Sequence, residues 1–160
     1  MPITANDLQA LVGKEIDDIC TNGYSTRAQS HCAHFVSHGL GIRIGLLCGD
    51  MGASAKTRHT GASIRCDELY NGLTRKGPWE DRPKIDDGLL IFVISARNLV
   101  NGVMRGVSEK HVGVHFGGKV YNFSNGRHEV VCDATVESFH AKFKSSYHGG
   151  DISLFYGVAT

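Results

Sequence analysis

The spacing of apolar positions divides this chain of 160 residues into two parts. In the first part, apolar residues recur three or four positions apart, as on one face of a helix, most clearly over residues 8–12 and 62–73. In the second part, apolar and alternating runs of strand length follow one another, beginning with the buried-type run 89–94. Helices followed by antiparallel strands predict an α+β fold with N-terminal helices packed on the sheet. No repeat or linker interrupts the pattern, so residues 1–160 are expected to form a single domain.

Several element boundaries follow from local signals. Asn6 or Asp7 is expected to cap the first helix. The segment 76–83 contains two prolines and a glycine, which predicts no regular structure there. The apolar run 89–94 is expected to be a central strand, and residues 135–143 are expected to form a last helix.

A hairpin is predicted where Gly117-Gly118 separates two strand-like stretches, residues 111–116 and 119–124. A two-residue loop at this position fixes the register of the strands. Gly113 then lies opposite Asn122, and the side chains divide between an apolar face and a face that carries polar groups.

The polar face brings a histidine and an amide together. His111 and Asn122 are diagonal neighbours, about 7–8 Å apart at their Cα atoms, and Gly113 has no side chain between them. An amide oxygen that accepts from one ring nitrogen directs the other nitrogen towards a nucleophile. His115 lies on the same face and competes for the role of base. The rivals of Asn122 as the orienting group are His128, Ser124 and Asn125.

A cysteine lies at the start of a second predicted helix. Ser30 is expected to cap this helix and Gly39 to end it, while Cys32, Phe35 and Val36 share one face. The positive end of the helix dipole and the free amides of the first turn favour thiolate over thiol, and the thiolate is the nucleophile. Cys32, His111 and Asn122 therefore form a candidate Cys-His-Asn site.

Composition excludes some classes of partner. The net charge is +1 and charged residues make up 21% of the chain, so no basic or acidic field indicates nucleic acid or lipid binding. No apolar run approaches the roughly 20 residues that span a bilayer, and the N-terminus lacks the basic and apolar regions of a signal peptide. We therefore expect synthesis in the cytoplasm and no membrane insertion.

The remaining cysteines and histidines carry no metal motif. Cysteines without CxxC spacing argue against a zinc ribbon or a thioredoxin motif, and apart from Cys32 we expect them to be reduced and inert. His34 and His38 have the i, i+4 spacing that can bind zinc, but no glutamate follows His34 as in HExxH. Structural or surface roles are expected for both, and no metal or cofactor is assigned.

The order of these features resembles the NlpC/P60 and CHAP cysteine peptidases and amidases, which are bacterial relatives of papain. The shared features are a cysteine that opens a helix, an apolar strand after Asp86-Asp87-Gly88, and then the strand His111-Val112-Gly113-Val114. The resemblance covers roughly residues 25–125 and implies a papain-like fold.

The resemblance also implies an activity. Cys32 would be the nucleophile, His111 the base and Asn122 the residue that orients the imidazole, in an enzyme that cleaves amide bonds of peptidoglycan stem peptides. The oxyanion would be bound by the Cys32 amide and a second donor, for which Gln29 and the His31 side chain are candidates. Amidase toxins delivered between bacteria by type VI secretion share this fold and lack a signal peptide. Membership in that group implies export by a dedicated secretion system to the periplasm or cell wall, and an immunity protein as partner.

Two other functions are consistent with the same residues. A thiol acyltransferase or transglutaminase-like enzyme would use the same Cys-His pair with another acceptor. A non-catalytic zinc-binding or interaction module would use His34 and His38, with Cys32 as a buried structural residue.

Overall fold

A computed structural model describes residues 3–52, 55–85, 87–148 and 151–159 of the protein. Asp86, which precedes the first long strand, lies outside the described residues. In the described ranges, helices and strands follow one another in this order: α1 (Ala5–Leu11), α2 (Cys32–Leu40), α3 (Cys66–Gly72), β1 (Lys76–Pro78), β2 (Asp87–Ser95), β3 (Leu99–Val100), β4 (Val103–Met104), β5 (Lys110–Phe116), β6 (Lys119–Ser124), β7 (Glu129–Asp133), α4 (Val136–Ser146) and β8 (Ile152–Gly157).

The main sheet has six antiparallel strands in the order β1-β8-β2-β5-β6-β7, and β3 and β4 form a small separate hairpin. The expectation of an α+β fold with an antiparallel sheet is therefore confirmed. Among the described residues, no helix has the length and apolar character needed to cross a membrane.

Strand β2 is central, as its continuous apolar run predicts, with β8 on one side and β5 on the other. Its side chains alternate between two hydrophobic cores. Leu90, Phe92 and Ile94 pack in the core that contains the buried residues of α1, α2 and α3. Leu89, Ile91 and Val93 pack in the core closed by Phe139 of α4. Both faces of the sheet are thus covered, which explains why the run does not alternate with polar residues.

The predicted hairpin register is confirmed residue by residue. Gly113 pairs with Asn122, Val114 with Tyr121, His115 with Val120 and Phe116 with Lys119. Gly117 and Gly118 both have positive φ, 59° and 80°, which a tight turn between right-twisted strands requires.

Both predicted ends of α2 are wrong. The N-cap is His31, because the Ser30 hydroxyl lies 3.4 Å from Cys32 Sγ and is not used as a side-chain cap. The helix continues through Gly39 to Leu40 and ends at Gly41, whose left-handed conformation (φ 69°) lets its N–H bond the carbonyl of Ser37.

Other boundaries differ for similar local reasons. Thr4, not Asn6 or Asp7, caps α1, and Asp7 completes a capping box from inside the helix. Helix α3 begins at Cys66 because the backbone before it bonds to a neighbouring loop, with Ser63 N–H donating to Ile42 and Ile64 N–H to Leu46.

The prediction that segment 76–83 has no regular structure is also wrong for its first three residues. Residues Lys76–Pro78 form the edge strand β1, paired with β8. An edge strand tolerates a proline at its end because one side of the strand has no neighbour to bond.

Candidate active site

Cys32 is the first residue of α2 and is only 3% exposed. Its sulfur lies 3.4 Å from the Ser30 hydroxyl, and the Cys66 thiol and the His111 ring are close enough to lower its pKa. Cys66 opens α3, so the first turns of two helices meet at this sulfur. The thiol predicted from sequence to lie at a helix start thus has polar neighbours from three separate parts of the chain.

Asn125 fixes the start of α2. Its Oδ1 accepts from the His31 N–H at 3.0 Å, and its Nδ2 donates to the Ser30 hydroxyl at 3.1 Å. Sequence reasoning considered Asn125 only as a rival of Asn122. It acts instead on the cysteine side of the site, because the loop after β6 crosses the beginning of α2.

His111 is bonded to Asn122 as the diagonal register predicts, with 3.1 Å between His111 Nε2 and Asn122 Oδ1. The orientation of the amide follows from its other end, since Asn122 Nδ2 lies 2.8 Å from a carboxylate oxygen of Asp133, which can only accept. The Asn122 oxygen therefore faces the imidazole, and His111 Nε2 must carry the hydrogen. Nδ1 is left to interact with the thiol.

The hydrogen bonds continue from the Asn122 amide to a charged pair, Asp133 and Lys142. The same Asp133 carboxylate oxygen forms a salt bridge of 2.7 Å with Lys142 of α4. Asp133 was not identified from sequence. It is the last residue of β7, and the pairing of β6 with β7 brings it beside Asn122.

The imidazole of His111 is held in an aromatic environment. It is 4% exposed, and its ring lies 4.5 Å from that of Phe143 and 6.1 Å from that of Phe139, centroid to centroid. β5 and β6 are paired only as far as Gly113 and Asn122, so His111 lies just beyond the paired part of the hairpin. The polar face of the hairpin is therefore covered by α4 rather than open to solvent.

The surroundings of Cys32 favour its thiolate. The hydrogen bond from the Cys66 thiol lowers the pKa of Cys32 most, and the charge and hydrogen bond of His111 and the Ser30 hydroxyl lower it further, against the opposing effect of burial. The net result is a pKa well below the ordinary value. Cys66 shows the converse, because its hydrogen bond to Cys32 and its burial raise its pKa well above the ordinary value. Cys66 thus stays a thiol and a donor.

A cavity of about 440 Å³ opens beside the two sulfurs. Its lining combines Cys32 and Cys66 with hydroxyl, amide and charged groups, among them Tyr24, Gln29, Arg65, Asp67 and Lys110. The Gln29 side chain accepts a hydrogen bond from the Tyr24 hydroxyl at 3.2 Å. Gln29 thus remains a candidate for the second oxyanion donor.

The other residues named from sequence lie elsewhere. His115, expected to compete with His111, is buried with its ring 5.2 Å from that of Trp79. Ser124 accepts a bond from the Arg127 N–H, and the ring of His128 packs on those of His31 and Phe123. The His31 side chain is not available as an oxyanion donor, because its two ring nitrogens contact Thr26 and His34.

A second cluster could hold a metal ion. The potential ligand atoms of Cys20, His34, His38 and Cys48 all lie within 4.8 Å of one another. Burial and the neighbouring charges of His38 and His31 lower the pKa of His34 to about 3, so its ring is neutral, as a metal ligand must be. The i, i+4 spacing of the two histidines is visible in the sequence, but Cys20 and Cys48 are expected there to be inert, because they come from loops on either side of α2 and no spacing links them to it.

Comparison with protein families, with curated proteins and with solved structures finds no significant match to this chain.

Proposed function

We propose that this chain is a papain-like cysteine hydrolase that cleaves an amide bond in the stem peptides of bacterial peptidoglycan. The observation that carries the proposal is a buried histidine, His111, that is hydrogen-bonded to Asn122 and lies near the Cys32 thiol, whose pKa it lowers, beside a polar cavity. A nucleophile in contact with a base that is itself oriented by a third group is the arrangement nucleophilic amide hydrolysis needs.

The reaction begins with the Cys32 thiolate and the protonated imidazole of His111. The sulfur attacks the carbonyl carbon of the amide, and the resulting oxyanion is stabilised by free amides at the start of α2. His111 then gives its proton to the leaving amine as the C–N bond breaks, leaving a thioester on Cys32. His111, now neutral, takes a proton from a water molecule as the water oxygen attacks the thioester. The C–S bond breaks, the acid product is released, and Cys32 and His111 return to thiolate and protonated imidazole.

Asn122 keeps one nitrogen of His111 in place throughout this cycle. The bond to the Asn122 oxygen stabilises a hydrogen on Nε2, so proton exchange with substrate takes place at Nδ1. Asp133 and Lys142 hold the amide in the orientation that makes this possible. These two residues position the imidazole through Asn122.

The substrate class is supported by the motif resemblance and by the charges of the cavity. Arg65 and Lys110 offer cations and Asp67 an anion at the cavity wall. Stem peptides carry both free carboxylates and amines, so a lining of mixed sign suits them. Delivery by a type VI secretion system to the periplasm and an immunity protein that blocks the cavity complete the proposal.

Digestion of purified peptidoglycan tests the proposal. The wild-type protein is expected to release stem-peptide fragments with new amino and carboxyl ends, measured by liquid chromatography and mass spectrometry. Cys32→Ala should lower the rate by at least about 10³-fold, because loss of the nucleophile removes the covalent step. Cys132→Ala is the matched control and should digest at the wild-type rate.

Three outcomes would contradict different parts of this proposal. Normal digestion by Cys32→Ala would exclude Cys32 as the nucleophile. A folded wild-type protein that leaves peptidoglycan intact would exclude this substrate class. Transfer of the acyl group to an added amine in preference to water would indicate an acyltransferase instead.

A further inference from the structure

We propose that Cys20, His34, His38 and Cys48 bind one Zn²⁺ ion that anchors α2 to the two loops flanking it. The site is separate from the proposed catalytic residues and does not depend on the proposed function. It would be structural, because four protein ligands leave no open coordination position.

The distances fit a tetrahedral metal site. Cys20 Sγ and Cys48 Sγ are 3.5 Å apart, and Cys48 Sγ lies 3.6 Å from His38 Nε2. A zinc ion with bonds of about 2.3 Å to sulfur and 2.0–2.1 Å to nitrogen has tetrahedral edges of roughly 3.3–3.8 Å. The four ligand atoms, all within 4.8 Å of one another, therefore need only small shifts to surround one ion.

The histidine tautomers leave a lone pair that points to the same cluster. His31 Nε2 lies 2.8 Å from the Thr26 carbonyl oxygen, which can only accept, so this nitrogen carries a hydrogen. His31 Nδ1 is then an acceptor, and its partner at 3.1 Å, His34 Nδ1, must be the donor. His34 Nε2 is therefore unprotonated in the neutral ring.

The environment of His34 Nε2 is the strongest support for a bound metal ion. His34 is fully buried, and its Nε2 has no hydrogen-bond partner. Buried ring nitrogens are normally bonded. Metal-ligating histidines characteristically bond their second nitrogen to another group, which fixes the tautomer and the ring orientation, as the series from His34 through His31 to Thr26 does here.

The sulfur of Cys48 is surrounded by donors, as a thiolate ligand requires. Cys48 Sγ accepts from the Ala62 N–H and from Asn22 Nδ2, each at 3.3 Å. At Gly61 a Cβ atom would lie 2.2 Å from Cys48 Sγ, so only glycine allows the loop to approach this closely.

Charge and location agree with a zinc ion. Two thiolates and one Zn²⁺ sum to zero, which avoids burying a net charge. A tetrahedral site with two sulfur and two nitrogen ligands selects zinc among common metals. The ligand-bearing loops, residues 12–31 and 41–65, contain only short 3-10 turns as helical structure among their described residues, so a metal would supply order that regular elements do not.

A disulfide between Cys20 and Cys48 is the competing interpretation. Both cysteines are free in the structure. A disulfide would also leave His38 without its sulfur contact and the buried Nε2 of His34 without any partner. The zinc site accounts for all four side chains together.

The experiment measures metal content of the purified full-length protein by inductively coupled plasma mass spectrometry. About one zinc per chain is expected. Replacement of zinc by Co²⁺ should give the visible absorption of a tetrahedral cobalt centre together with thiolate-to-cobalt charge-transfer bands. A strong zinc chelator should lower the midpoint of thermal unfolding, and added Zn²⁺ should restore it.

Single substitutions test which side chains bind the zinc ion. Cys48→Ser and His38→Ala should each lower zinc content at least tenfold, whereas Cys132→Ser should keep it. If the ligand variants do not fold, the cobalt spectrum of the wild-type protein decides. A folded wild-type protein without zinc and without the cobalt spectrum would overturn the proposal. So would full zinc content in Cys48→Ser, or a mass two daltons below that of the reduced chain in metal-free protein.

Discussion

A cysteine that is almost fully buried is normally unreactive, because an apolar environment favours the neutral thiol. Cys32 has the burial but not the apolar environment. The Cys66 thiol, the His111 ring and the Ser30 hydroxyl all direct hydrogen-bonding groups at its sulfur. At this residue the interactions that stabilise the thiolate outweigh burial, and the pKa falls.

Alkylation at controlled pH tests this assignment. The lowered pKa of Cys32 keeps its thiolate populated as the pH falls below about 8.5, where an ordinary thiol becomes protonated. Iodoacetamide should therefore label Cys32 at neutral pH, while Cys132, whose pKa is raised mainly by burial, should need a higher pH. The labelled peptides are quantified by mass spectrometry.

The His111→Ala variant tests whether the imidazole lowers the pKa of Cys32. Removal of the imidazole deletes a charge and a hydrogen bond that favour the thiolate, so the alkylation profile of Cys32 should move to higher pH. His115→Ala, which alters a histidine near Trp79, should leave the profile unchanged. If Cys32 and Cys132 have the same profile in the wild-type protein, Cys32 is not activated.

The contact between His111 and Asn122 could be predicted from sequence because it depends on one hairpin. Gly117-Gly118 fixes the register, and the register fixes the diagonal neighbours. The roles of Asn125 and Asp133 could not be predicted. The contact of Asn125 joins the loop after β6 to the start of α2, 94 positions away in the chain, and no local pattern encodes that approach. Asp133 approaches Asn122 through the pairing of β6 with β7, whose register is not fixed by a two-residue glycine loop as that of β5 and β6 is.

At the scale of elements, the β5–β6 hairpin depends on the absence of a side chain at Gly113. A Cβ atom there would lie 2.8 Å from Val120 Cγ1, 3.0 Å from the Tyr121 carbonyl oxygen and 3.1 Å from Asn122 Cβ. The carbonyl belongs to the strand backbone and cannot turn away. The Cβ of Asn122 can yield only by shifting the amide that orients His111.

Gly113→Ala is therefore expected to reduce both stability and activity. Overpacking of this kind costs about 1–3 kcal/mol of the free energy of unfolding, measured by chemical denaturation. The rate of peptidoglycan digestion should fall further than the loss of folded protein explains, since His111 is displaced. Gly126→Ala is the matched control, because a Cβ atom there meets nothing within 4 Å. Equal stability and activity in the two variants would contradict the steric argument.

Element ends were harder to predict than element types. The Cys32 helix was expected to run between Ser30 and Gly39, and it runs from Cys32 to Leu40 instead. A serine and a glycine are frequent end residues, but here Ser30 is engaged by Asn125 and Gly41 supplies the left-handed turn. Several residues compatible with an end occur close together, and tertiary contacts choose among them.

At the scale of the whole molecule, the order of strands in the sheet differs from their order along the chain. Strand β8 follows all the other strands in sequence, yet it lies between β1 and β2. Its pairing with β2 runs from Leu90 opposite Gly157 to Ser95 opposite Ile152. The pairing of the central strand is therefore completed by β8, although β8 contributes none of the proposed catalytic residues.

A chain that ends at His148 tests how far the site depends on this closure. It keeps Cys32, His111 and Asn122 but lacks β8, so one edge of β2 and the side chains packed on Phe155 would be exposed. We expect loss of cooperative thermal unfolding, measured by circular dichroism, association in size-exclusion chromatography and no preferential alkylation of Cys32. Ser153→Ala in the full-length chain, which removes only a hydroxyl from the same strand, should behave as wild type. Cooperative unfolding of the shortened chain within a few degrees of the wild-type midpoint would show that β2 does not need β8, and that the site is held by α2, α4 and the hairpin alone.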